Sequence, residues 1–305
     1  MKPLALSTMF AQQERFADGA VFARFARDMG YDAIEISHST PPDKFQQIIK
    51  ANVLPIVSVH QPAPWVQHRD GRGNTKLNLA SVDEDERQAA VEYAKESVRW
   101  AARVGARRVV VHLGSVTDEE MFEEEFRMRR MFDGGQAGEP EFADLRERAI
   151  ERRRREAEPY LEAARRSLLE LVQVAEASNI AIGLENRYHY HEIPHPDEYD
   201  FLLEGLTPEQ AGYWHDTGHA EVLHRLGFID KHAWLSKNAR RCIGAHLHDV
   251  LGIGDHRAPG DGDVDWGYIV EGLKHLPQYT LEINQHQPDE KVGLAPKVLE
   301  QLGLR

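Results

Sequence analysis

A chain of 305 residues with 37 basic and 50 acidic side chains carries a formal charge of −13, which disfavours a nucleic-acid partner and favours a small-molecule one. Its single cysteine, Cys242, lies inside the apolar run CIGAHL, so a disulfide framework and a thiolate zinc site are both excluded. No run approaches the roughly 18 apolar residues of a membrane span, and LALSTMFAQQERF has no signal-peptide pattern, so the expectation is a soluble cytoplasmic protein.

From the start, LALST reads as a strand and DGAVFARFARDMG as a helix stopped at Gly30. DAIEIS is the second strand, followed by a helix over PPDKFQQIIKAN whose prolines suit a first turn. PIVSVH is the third strand and ends on His60. The helix VDEDERQAAVEYAKESVRWAARVG opens acidic and closes basic, in keeping with its dipole, and RRVVVHLG makes the fourth strand, with His112 near its end.

The next strand is delayed by an insertion over residues 117–142, whose Gly-rich part DGGQAGEP reads as a lid or a surface turn. A long helical stretch follows. Pro159 predicts two helices there, and Glu151 with Arg155 predicts an i,i+4 pair on a solvated face or subunit contact. Four further units follow, with strands IAIGLEN, AGYWHDTG, RCIGAHLHD and YTLEIN, while HLHDVLGIGDHRAPGDGDVDW, lacking periodicity, reads as a loop. Eight strand–helix units predict an α/β protein, a (β/α)8 barrel forming a single domain over residues 1–305.

Glu185, Asp216, His246 and Glu282 close the last four strands at intervals of 31, 30 and 36 residues, the length of one βα unit. Side chains at the carboxyl ends of barrel strands converge on one mouth, where such folds keep their active sites. Carboxylates and imidazole gathered there suit a divalent metal, with zinc or manganese first and cobalt or magnesium as further fits. Alone, Asp216 reads equally well as a helix N-cap. His60, His112 and His219 point to the same mouth and are candidates for a second metal or for substrate contact, and His256 and Asp255 are loop candidates for the same. Glu35 reads as a partner of a ligating histidine or as a structural carboxylate. Arg187 and Glu192, within NRYHYHEIP, and Asp249 are candidates for substrate binding.

The ordered set VH at 60, VHLG at 110–114, LEN at 184–186, WHDTGHA at 214–220, HLHD at 246–249, DHRAPGDGDVDW at 255–266 and LEI at 281–283 resembles the xylose isomerase-like TIM-barrel superfamily. Its sugar phosphate isomerase/epimerase group is the nearest resemblance, and endonuclease IV shares the framework. The resemblance implies that Glu185 and Glu282 act as acid and base on a ketose, sugar phosphate or polyol ketone as well as binding metal. Asp216 and His246 would complete the metal site, and a homo-oligomer is compatible with the group. The endonuclease IV pattern would instead use His60, His112, Glu185, Asp216, His219, His246, His256 and Glu282 to hold three zinc ions for abasic DNA. Here Gly254 stands where that family has an aspartate two residues before its histidine. An inosose-type dehydratase and a non-catalytic sugar-binding protein are the remaining alternatives.

Overall fold

The computed structural model describes residues 2–117 and 119–305, so Met1 and, within the inserted segment, Asp118 lie outside the described residues. Eight parallel strands close a barrel: β1 (Leu4–Ser7), β2 (Ala33–Ile36), β3 (Ile56–His60), β4 (Arg108–Val111), β5 (Ala181–Glu185), β6 (Ala211–Asp216), β7 (Cys242–Leu247) and, after two short strands, β10 (Tyr279–Leu281). Each pairs with its neighbours in sequence order, and β10 closes the ring between β7 and β1. The (β/α)8 architecture expected from the alternation is therefore the observed one.

The helices form the outer layer: α1 (Gly19–Asp28), α2 (Pro42–Ala51), α3 (Glu84–Val104), α4 (Glu119–Asp133), α5 (Pro140–Glu176), α6 (Tyr199–Leu202), α7 (Thr217–Arg225), α8 (Lys231–Asn238), α9 (Trp266–Leu273) and α10 (Asp289–Gln301). α3 shows why they hold. Asp83 caps it by accepting from the Asp85 and Glu86 amides, and Ala90, Val91, Ala94, Val98 and Ala101 form its buried stripe.

Three expectations need correction. α5 is one helix through Pro159: Arg155, whose carbonyl loses its normal donor, and Pro159 are both exposed, so water can satisfy the acceptor. Along the same helix Glu151 pairs with Arg154 rather than Arg155, while Arg153 turns inward and binds Glu198 at 2.6 Å. The segment after β7 is an antiparallel hairpin of β8 (Asp249–Leu251) and β9 (Gly254–Arg257). Its turn falls at Gly252, which has φ +62° and which the aperiodic reading passed over.

Side chains two residues apart on a strand share a face, so Gly183, Trp214 and Gly244 lie one layer beneath Glu185, Asp216 and His246. The Trp214 indole fills that layer and is 1% exposed. A Cβ at Gly183 would come within 2.8 Å of the indole, and one at Gly244 within 2.0 Å. The two glycines leave the width that the tryptophan occupies.

Gly244→Ala should therefore destabilise the fold by about 1–3 kcal/mol in urea denaturation, an overpacking cost. Gly138→Ala, with nothing within 4 Å of its added Cβ, should leave the midpoint near wild type.

Candidate active site

The four strand-end residues meet on a single nitrogen. His246 Nδ1 lies 2.5 Å from Glu185 Oε1, 3.1 Å from Glu282 Oε2 and 3.8 Å from Asp216 Oδ2, all fully or almost fully buried. The opposite nitrogen, Nε2, is 2.7 Å from Glu35 Oε1, and Glu35 Oε2 accepts from Ser58 Oγ at 2.6 Å. Ser58 and Glu35 thus fix the imidazole so that Nδ1 faces the three carboxylates. Burial pushes the His246 pKa down, but Glu282, Glu35 and Glu185 outweigh it and hold the pKa well above the ordinary value. Burial likewise opposes ionisation of Glu185 and Glu282, yet the surrounding histidines, led by His246, hold both well below the usual carboxylate range.

Asp216 is both a site residue and a helix cap: Oδ1 accepts from the His219 amide at 2.7 Å, and His248 Nε2 reaches each of its oxygens at 2.9 Å. Asn186 orders the same turn by accepting from the Asp216 amide and donating to its carbonyl. His219 Nδ1 lies 2.9 Å from the Asn186 carbonyl, which keeps the hydrogen on Nδ1.

A second group adjoins the first. His60 and His112 bring their Nε2 atoms to 2.6 Å, and His112 Nε2 is 2.8 Å from Glu185 Oε2. Their pKa values move in opposite directions. Burial lowers that of His60 but Glu185 and Glu282 raise it to about 9, whereas burial, Arg187 and His60 depress that of His112. His38, just after β2, packs its ring 4.9 Å from that of His60.

The mouth opens on a cleft of about 490 Å³ whose lining includes His60, His112, Arg187, His219, His256 and Glu282. Arg187 donates to Glu185 Oε2 at 2.7 Å and pairs with Glu192 at 3.1 Å. Glu192 itself is outside the lining: its other oxygen accepts from the His189 amide at 2.8 Å, so it serves to hold Arg187 and the loop rather than to touch a ligand. Asp249 is likewise absent from the lining. Its carboxylate accepts from the amides of Val250, Gly260 and Val264, which ties the loop after β9 to β8 and leaves no oxygen turned to the cleft. At the hairpin, Asp255 lies 3.0 Å from His256 Nδ1 and 3.8 Å from His219 Nε2, so a carboxylate reaches these histidines from the position beside Gly254.

Sequence reasoning missed His38 and His248. The HLH pattern carried the signal for His248, since it places positions 246 and 248 on one face of the strand. His248 accepts from the His256 amide at 2.8 Å and its ring stacks on that of His256 at 4.2 Å.

The donor set fits a divalent cation. The ligand atoms of Glu185, Asp216, His246 and Glu282 lie within 4.8 Å of one another, and three buried carboxylates facing one nitrogen repel unless a positive charge sits among them. The protonated His246 supplies part of that charge, and a cation would replace its Nδ1 proton.

The chain belongs to the xylose isomerase-like TIM barrel family, whose model matches residues 23–302. Among curated proteins, the uncharacterized protein y4fM of Sinorhizobium fredii is 25% identical over 246 residues, 77% of this chain and 62% of that one. The chain thus spans about six tenths of that relative's length. D-psicose 3-epimerase of Clostridium cellulolyticum, solved with D-tagatose, superposes with a TM-score of 0.67 at 16% identity over 100% of both chains. An IolI protein structure with a zinc atom superposes with a TM-score of 0.65 at 14% identity, over 99% of this chain and 98% of that one.

Asp249→Ala would strand three loop amides, so it should cost about 1–3 kcal/mol and speed hydrogen exchange at Gly260 and Val264. Unchanged exchange at both amides would contradict this account of the loop.

Proposed function

We propose that the protein is a divalent-metal-dependent isomerase or epimerase of a ketose, a sugar phosphate or a related polyol ketone. The observation that carries this reading is the disposition of Glu185 and Glu282. Each gives one oxygen to His246 Nδ1 and turns the other to a different wall, Glu185 to Arg187 and His112, Glu282 to Ser7 and His60. Two carboxylates approaching one point from separate strands suit proton removal and return on opposite faces of a single carbon.

Glu185, Asp216, His246 and Glu282 would hold the cation, and their oxygen and nitrogen donors suit zinc or manganese. When bound, it supplies positive charge beside the substrate's carbonyl oxygen. One glutamate takes the proton from the carbon next to the carbonyl, and the C–H electron pair moves toward the carbonyl oxygen to give an enediolate. The opposite glutamate, having taken up a proton from solvent as substrate binds, delivers it to the other face, inverting that carbon, and the first glutamate returns its proton to solvent. Delivery to the former carbonyl carbon instead moves the carbonyl and gives isomerisation. Arg187 restrains Glu185, and Glu192 restrains Arg187. A dehydratase would share the first step and then expel a neighbouring hydroxide, so product analysis separates the two. The charge of −13 offers a nucleic acid no general attraction, which weighs against the phosphodiesterase alternative.

In deuterium oxide, D-psicose, D-tagatose and other ketoses should be screened for exchange at the carbon beside the carbonyl. Glu185→Gln and Glu282→Gln should each slow exchange at least about 100-fold. Normal exchange in both variants with metal still bound would remove this mechanism. Glu35→Gln should weaken zinc or manganese binding by about 10–100-fold in competition titrations, because Glu35 orients His246. Metal analysis of the purified protein gives the count: besides Glu185, Asp216, His246 and Glu282, the His38–His60–His112 and Asp216–His219–His248–His256 groups bring ligand atoms together.

A further inference from the structure

The inserted helix α4 carries a buried carboxylate outside the site described above. Glu125 is 1% exposed, and its Oε1 lies 2.8 Å from His189 Nδ1 while Oε2 accepts from the Tyr190 amide at 3.1 Å and lies 3.2 Å from His191 Nδ1. Arg129, one turn further along α4, donates to Glu125 Oε1 at 2.7 Å and to the Tyr188 carbonyl at 2.8 Å. Its guanidinium sits 4.0 Å from the centre of the Tyr188 ring. Two residues of α4 therefore grip four consecutive residues, 188–191, of the loop that follows β5, and α4 works there as a buttress.

The consequence falls on His189. Its side chain is 27% exposed and lines the cleft, its backbone amide is held by Glu192, and its Nδ1 is held by Glu125. An ionised carboxylate shared with Arg129 can only accept, so Nδ1 carries the hydrogen and Nε2 is left for the cleft. Among the described residues Nε2 has no protein partner. We propose that Glu125 is a positioning residue that fixes His189 as a hydroxyl-binding contact for a polyhydroxylated substrate in the cleft. This rests on the sugar isomerase or epimerase reading for its substrate class, while the Glu125–His189 arrangement stands on geometry alone.

Two measurements test it. In protein labelled with 15N-histidine, NMR should show His189 as the Nδ1–H tautomer; the Nε2–H tautomer would overturn the proposal whatever the enzyme acts on. With a ketose that the wild-type protein exchanges, His189→Asn and Glu125→Gln should raise KM about tenfold with kcat within about twofold. His189→Gln, whose amide reaches the place of Nε2, should restore most of the loss. An unchanged KM in His189→Asn, or no recovery in His189→Gln, would defeat the proposal even if Glu125→Gln fails to fold. If the wild-type protein exchanges no ketose, the assigned activity falls, and the tautomer alone decides the role of Glu125.

Discussion

The mutual repulsion of buried carboxylates is the constraint on which the rest of this structure depends. Glu35, Glu185, Asp216 and Glu282 are all 0–1% exposed at one end of the barrel, where an unpaired negative charge is very costly. His246 lies between them, with one nitrogen for Glu35 and the other for the remaining three. Around this core each carboxylate has a further donor: Ser58 for Glu35, Arg187 for Glu185, His248 for Asp216, Ser7 for Glu282. Each donor is in turn anchored elsewhere by a bond or a barrel neighbour, so the order imposed at the centre spreads into β1, β3, the β5 loop and the β8–β9 hairpin.

Much of this was legible in the sequence because strand ends carry a strong signal. Glu185, Asp216, His246 and Glu282 terminate apolar runs at βα spacing, and a barrel leaves such residues only one direction in which to converge. Strand alternation would also have yielded His248. Glu125 was not legible. Its partners are 64 to 66 positions away, and on its own helix it reads as one glutamate among several. Pro159 misled for a physical reason: the rule against proline inside a helix assumes that the lost acceptor is buried, and here it meets water. Composition does not reveal that the Asp249 carboxylate accepts from three backbone amides, or that Glu192 divides its oxygens between Arg187 and the His189 amide.

Two segments that depart from the plain βα repeat, α4 and the β8–β9 hairpin, meet through Tyr188. Arg129 of α4 covers its ring, while its hydroxyl donates to the Ile253 carbonyl at the hairpin turn at 3.1 Å. Tyr188 is thereby held at both its ring face and its hydroxyl. A polyol has many equivalent hydroxyl groups, so a stiff wall that offers few fixed acceptors is a more discriminating partner for it than a mobile one.

The Trp214 indole beneath His246 has a consequence for traffic. With Gly183 and Gly244 accommodating it on either side, the barrel axis is plugged one layer below the carboxylates. The cleft is a cul-de-sac: whatever reaches Glu185 and Glu282 must back out the way it came. Entry and exit therefore share the mouth of the barrel, and nothing passes through its axis.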